Sequence, residues 1–288
     1  PTMFKEVYLM QNLRAHGNQR RANGRVNWLA ATTVFLLTSG LAFAGLPAED
    51  SENWSLRKET DRIRVYTTDQ PDSSFQAFKA VAVLDVPIEN LMAVMINPKS
   101  CVQWVHNCSE SYAFGSGDFN ERYAYSVNDM PWPVTDRAYV LRIRTRGQQA
   151  DGEIVMDLNA IPDQRAEEDD YIRVDKSDTL YRFIPEDGQT RMIWVQHTEP
   201  NGSIPGWLVN TLLVDIPIRS MAQLERVAQW DRYQNYELIY DSQGHRKDVV
   251  PTAESGDASN IRHSEALSQS TCYLSRFVKA RSRLRDQS

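Results

Sequence analysis

Through the middle of the chain, apolar and polar residues alternate with a period of two, the spacing that turns one face of a strand to a core and the other to water. Ile63 and Val65 alternate with arginines in 62–67 (RIRVYT), and 74–86 is a second strand in which Ala, Val and Phe fill both phases, so its inner face cannot be assigned. Cleaner phases follow. Tyr123, Tyr125 and Val127 alternate with Arg122, Ala124 and Ser126 in 119–128. Tyr139, Leu141 and Ile143 alternate with Arg142 and Arg144 in 137–146, and Ile154, Met156 and Leu158 with Asp157 and Asn159 in 153–161. Short strands are predicted at 109–114 and 171–174. Asp151-Gly152 marks the turn ahead of 153–161, and Asp187-Gly188 joins strands 179–185 and 189–198.

Two segments change period. From Pro87 the residues Ile88, Leu91, Met92 and Met95 form one helical face that stops before Asn97-Pro98. In 203–227 Leu208, Leu212 and Ile216 recur every four residues, with Leu213, Leu224 and Val227 on the same side. Pro205 suits a first helical turn, whereas Pro217 falls inside the pattern and predicts a bend. About eight strands, one early helix and one long closing helix make an α+β plan, in which the last helix lies across one face of an antiparallel sheet.

The ends read differently. Arg14, Arg20, Arg21 and Arg25 precede an apolar run from Trp28 to Leu41 and the small residues of Ala42-Phe43-Ala44. This predicts a leader and signal peptide over 1–44 and an exported protein, periplasmic or secreted, of Gram-negative type. The run is about 14 residues, short of the roughly 20 of a stable span, and an uncleaved membrane anchor is the alternative. The folded domain is predicted over 45–241, with a short amphipathic turn at Trp54 and Leu56 and with Tyr233, Tyr236 and Tyr240 packing back onto it. Residues 242–288 are rich in Ser, Asp, Arg and Gln and are predicted to be a mostly disordered polar tail.

A net charge of −6 argues against a nucleic-acid partner, which would require a basic face. Three readings of Cys101 and Cys108 stay open: a local disulfide, two buried thiols, or a metal site completed by His106. No catalytic motif stands out. Gly115-Ser116-Gly117 lacks the strand-to-helix context of an exposed nucleophile, and there is no H-E-x-x-H. His106 and His197 are the histidines within the predicted domain, and a lone strand histidine is more often structural than catalytic. Seven tryptophans and twelve tyrosines therefore point to a heavy core or a lined cavity.

Three segments, in order, carry a resemblance. Asp129 to Val140 (DMPWPVTDRAYV) resembles the P-W-P-[VL]-x-D-R-[DE]-[FY]-V signature of the START family, the steroidogenic-acute-regulatory-related lipid transfer domains. Cys101 to Ser111 is similar to the W-V-x-x-C-x-E-S segment of bacterial members, and Pro200 to Asn210 to the P-x-G-x-[IL]-P-x-W-[LV]-V-N that opens the family's closing helix. Ala138 departs from the acid usual at its position.

The resemblance implies a helix-grip (START/Bet v 1-like) fold: a curved antiparallel sheet around a long C-terminal helix, with a hydrophobic tunnel between them. Its lining would be Tyr125, Tyr139, Leu141, Ile143, Ile154, Met156, Leu158 and Trp194 from strands and Leu208, Leu212 and Ile216 from the helix. The implied role is non-catalytic binding or transfer of a lipid or other hydrophobic small molecule by a monomer, without cofactor or metal and with transient membrane contact. Ligand entry is expected where the helix from Ile204 moves against loops 148–152 and 129–135. Ala124 or Tyr125 stands where sterol-binding members carry an acid, and Ile143 where they carry an arginine, so no sterol is implied. The alternative is a helix-grip enzyme, cyclase- or hydrolase-like, drawing on Tyr125, Gln196 or His197.

Overall fold

Twelve strands and three α-helices form over residues 45–252, the part of the chain that the computed structural model describes. The leader at 1–44 and the expected tail from 253 onward lie outside the described residues. In chain order the elements are β1 (Ser55–Glu59), β2 (Ile63–Thr68), β3 (Ala77–Leu84), α1 (Ile88–Ile96), α2 (Cys101–Trp104), β4 (Cys108–Phe114), β5 (Glu121–Asn128) and β6 (Arg137–Gly147). Then follow β7 (Ile154–Ala160), β8 (Ile172–Arg173), β9 (Lys176–Glu186), β10 (Gln189–Glu199), α3 (Gly206–Ala228), β11 (Tyr236–Tyr240) and β12 (Arg246–Pro251).

The sheet runs β1-β2-β3-β10-β9-β7-β6-β5-β4, antiparallel throughout, with β8 added in parallel on β6. Local chemistry sets its register. Asp187 and Gly188 both take positive φ, 48° and 85°, the backbone that a two-residue primed turn needs, so Glu186 pairs with Gln189 and the β9–β10 ladder follows.

On the inner face Val65, Ala80, Leu84, Phe183 and Met192 meet Leu91 and Met92 of α1 and Met221, Leu224 and Val227 of α3, all at 1% exposure or less. Each of the large side chains contributes about 1.5–3 kcal/mol by leaving water. The inner phase of β3, unreadable in the sequence, is Phe78, Ala80, Ala82 and Leu84; these are buried, whereas Lys79, Val81 and Val83 are only half-buried. The outer face is covered too. Tyr125, Val127, Ala138 and Val140 pack there beneath Ile161 and Tyr171 of the segment between β7 and β8.

Two expectations need correction. The residues after Trp54 form an edge strand, β1, rather than an amphipathic turn; all five of its residues are exposed, and it is held by pairing with β2. The domain boundary at Asp241 cuts a hairpin: β11 pairs with β12, and Val249 is buried in the main core. Arg246, Lys247 and Asp248 hid β12, because a strand with one core residue, Val249, carries almost no period-two signal.

Candidate functional site

Along its C-terminal half α3 packs solidly against the sheet and α1. Along its N-terminal half it stands off, and a cavity of about 910 Å³ opens between helix and sheet. That volume lies in the range of small-molecule sites. Val209, Leu212, Leu213 and Ile216 line it from the helix, the i, i+3, i+4, i+7 stripe of one helical face.

The sheet register fixes the opposite wall. Ser126 faces Tyr139, Ala124 faces Leu141 and Arg122 faces Ile143 across β5 and β6. Ile143 continues to Leu158, and Leu158 to Thr179. Met156 stands opposite Tyr181, which stands opposite Trp194. Because side chains on one face recur every second residue, this chain of pairs is a single continuous surface.

An aromatic group closes the apolar part. Trp194 meets Tyr181, Phe78 and Trp104 edge-on at centroid distances of 5.3, 5.2 and 6.0 Å. Trp104 comes from α2, whose first residue, Cys101, is bonded through sulfur to Cys108 at the start of β4, with Cα atoms 5.8 Å apart. Both thiols are consumed, so the metal reading with His106 does not hold; His106 instead lies 3.2 Å from Arg219.

The polar groups facing the cavity are mostly committed. Trp194 Nε1 donates to Gln196 Oε1 and Gln196 Nε2 donates to Thr198 Oγ1, both at 3.0 Å. Burial pushes the Tyr139 phenol up to about 12, with Arg137 pulling the other way, and raises Tyr181 as well, so both remain neutral donors.

Two arginines line the cavity without a carboxylate partner. Arg137 donates through Nε to Pro200 O at 3.0 Å, through Nη2 to Asn201 O at 2.7 Å, and through Nη1 to Thr135 O. Arg122 donates through Nη1 to Phe119 O and Thr145 Oγ1, at 2.8 and 3.0 Å, and through Nη2 to Met95 O at 3.3 Å. Burial lowers Arg122 to about 10, with Asp118 acting in the opposite sense, and it stays cationic at neutral pH.

Of the residues expected to line the cavity, Tyr139, Leu141, Ile143, Met156, Leu158, Trp194, Leu212 and Ile216 do so. Tyr125, Ile154 and Leu208 do not. Tyr125 is on the outer face, stacked on Tyr112 and donating to Glu168 Oε2 at 2.8 Å; the polar phase of β5, with Arg122, turns inward instead. Ile154 shares the face of Met156 but sits at the strand end, in the solid core beside Phe183. Leu208 is buried on α3 away from the lining.

His197 also points outward, to Ser73 Oγ at 3.2 Å, so of the three residues named for an enzyme only Gln196 faces the cavity. The loop at 148–152 is likewise no part of the lining. Its Gln149 N–H donates to Gly244 O at 2.9 Å, and Arg246 Nη2 donates to Gly152 O at 2.6 Å, which fastens that loop to the β11–β12 hairpin.

A family model described as START domain matches residues 37–233. An uncharacterised protein of Pseudomonas aeruginosa is 32% identical over 180 residues, which cover 62% of this chain and 88% of that protein. The rat phosphatidylcholine transfer protein is 28% identical over 170 residues, 57% of this chain and 78% of its own. Among solved structures, a STAR-related lipid transfer protein fragment from Xanthomonas axonopodis matches with a TM-score of 0.58 at 25% identity, covering 62% of this chain and 100% of that one.

Proposed function

Because the chain belongs to the START domain family, we propose that it binds a lipid in the cavity between α3 and the sheet and carries it without chemically altering it. The observation that carries this reading is the cavity of about 910 Å³, walled by Leu141, Ile143, Leu158, Leu212 and Ile216 and closed by four aromatic rings. Binding is driven by burial: each methylene that enters contributes ~0.8 kcal/mol, and ten to fifteen of them outweigh the cost of association.

Delivery calls for contact with a membrane. Trp132, in the loop between β5 and β6, is 93% exposed, while Met130 of the same loop lines the cavity. A bare indole two residues from a cavity-lining side chain suits the headgroup region of a bilayer. An exported location, read from the leader, is supported by the Cys101–Cys108 bridge, which favours an oxidising compartment. A hydrolase or cyclase has less behind it, since the amide of Gln196, the one cavity-facing candidate, is already hydrogen-bonded at both ends.

The test is to incubate the purified protein with vesicles of mixed phospholipids, re-isolate it, and identify bound species by native mass spectrometry. A stoichiometric, intact lipid is expected. Recovery of lipid-free protein, or of hydrolysed lipid, would overturn the proposal. Trp132→Ala is expected to slow transfer between vesicles and to leave the stoichiometry of bound lipid unchanged.

A further inference from the structure

Arg122 keeps one nitrogen, Nε, unengaged, whereas in the other cavity arginine all three nitrogens are engaged. A guanidinium carries five N–H donors. In Arg137 each of the three nitrogens donates one hydrogen to a backbone carbonyl, which ties every edge of the guanidinium to the loops it joins. In Arg122 the contacts use both hydrogens of Nη1 and one of Nη2, which leaves Nε–H and the second Nη2–H. Unlike the sealed, unpartnered nitrogens of Arg142, Arg165, Arg173 and Arg246, Nε of Arg122 keeps accessible surface, and Arg122 lines the cavity.

The surroundings give that charge no ion pair. All three of its partners are neutral, two backbone carbonyls and a threonine hydroxyl. Asp118, which supports the Arg122 charge through space and also lines the cavity, spends Oδ1 on the backbone N–H groups of Asn120 and Glu121, at 2.8 and 2.9 Å, and makes no ion pair with Arg122. A cation beside an apolar wall, lacking a counter-ion, is stabilised by whatever anion can reach it. Directly across the ladder is Ile143 and beyond it Leu158, so an anion held there has an oily surface on which to lay a chain.

We propose that the ligand is an anionic lipid whose oxyanion, carboxylate or phosphate, sits against the free edge of Arg122 while its hydrocarbon runs over Ile143 and Leu158 toward α3. This rests on the lipid-carrier reading above and narrows the class of lipid: neutral lipids with the same chains would enter the cavity but leave Arg122 unpaired.

The experiment measures equilibrium binding of two matched pairs to the full chain: oleate against oleyl alcohol, and dioleoyl phosphatidic acid against dioleoylglycerol. Preference for the charged member in at least one pair is expected to reach about tenfold, the scale of a charge-assisted hydrogen bond. The pair that discriminates tells a carboxylate from a phosphate. Arg122→Gln is expected to erase the preference by weakening only the charged member, and Arg122→Lys to keep part of it.

Equal binding within both pairs overturns the proposal, as does an Arg122→Gln variant that weakens charged and neutral members alike, which is the mark of a purely structural tie. If Arg122→Gln does not fold, the wild-type preference and the Lys variant decide. Failure of all four lipids to bind overturns the carrier reading and this proposal together, whereas neutral lipids binding as well as charged ones overturns this proposal alone.

Discussion

Arg137 at the start of β6 donates through Nη2 to the carbonyl of Asn201, 2.7 Å away, in the turn that leads into α3. Asn201 is in the left-handed region, φ 53°, and its side-chain amide donates in turn to Arg173 O and Asp175 Oδ2. The adjoining Gly202 has φ 65°, a backbone that strains any other residue, and a Cβ there would also push Ile172 Cδ1, 2.8 Å away, aside. One guanidinium thus joins the 129–136 loop, the 200–202 turn and the strand between them at one end of the cavity. Arg137→Met should leave its three carbonyl partners, on Thr135, Pro200 and Asn201, without this donor. A loss of about 3 kcal/mol in unfolding free energy is expected by urea titration, together with faster exchange of bound lipid in stopped-flow measurements.

Filling the cavity should abolish binding without harming the fold. Leu212→Trp and Leu158→Trp add bulk where the wall faces open space and not packed atoms. Lipid affinity is expected to drop at least about tenfold while the melting temperature stays level or rises, because the new ring gains contacts at little strain. A fall in melting temperature equal to that of an overpacked core would mean the space is already full.

The charge on Arg122 sets a pH dependence. Burial brings its folded-state value down to about 10 from an ordinary 12.5, so the free protein binds this proton more weakly than the unfolded chain does. The sign follows: between those two values this group alone makes stability rise with pH, and below about 10 its buried charge opposes folding. A bound oxyanion needs the cation. Affinity for oleate relative to oleyl alcohol is therefore expected to be flat from above the fatty acid's own ionisation to a pH of about 9, and to fall as pH passes about 10. The ratio cancels any general loss of structure at high pH.

Opening the disulfide should act on the cavity as well as on stability. Cys101 and Cys108 close a short loop that carries Trp104, 4% exposed and edge-on to both Tyr181 and Trp194. The paired Cys101→Ser and Cys108→Ser variant is expected to lose about 2–3 kcal/mol in denaturant titration. Its tryptophan emission is expected to respond less to lipid, because Trp104 is then held less firmly against its partners.

Much of this was legible in the order of residues, and where it was not the reasons are physical. In β6 the phase of Tyr139, Leu141 and Ile143 could be read because the opposite phase carries Arg142 and Arg144, and the structure turns the apolar set inward. The same rule reverses in β5. There the apolar phase, Tyr125 and Val127, is buried outside the cavity by the segment with Ile161 and Tyr171, while Arg122, Ala124 and Ser126 face in. Alternation says that two faces differ; it does not say which one meets the ligand, and a second covering layer gives the wrong face an equally good reason to be apolar. Arg122 was in plain view as a polar residue in a strand. Only the register with Ile143 reveals that it borders a cavity. Ile154 and Leu208 have the right phase but sit at element ends, and where a cavity stops depends on packing from distant parts of the chain.

The proline at position 217 divides α3 between two trades. Toward the C-terminus Met221, Leu224, Val227 and Ala228 are fully buried; toward the N-terminus Val209, Leu212 and Leu213 border space. Proline has no amide hydrogen to give, so the rung that would lock these two lengths together, from position 217 back to Leu213, is never made. A door needs a frame that stays put and a leaf that does not, and this helix has a firmly seated length and a loosely backed one on either side of a missing rung. Were cargo to enter here, the loosely backed length would be the leaf and the seated length its post.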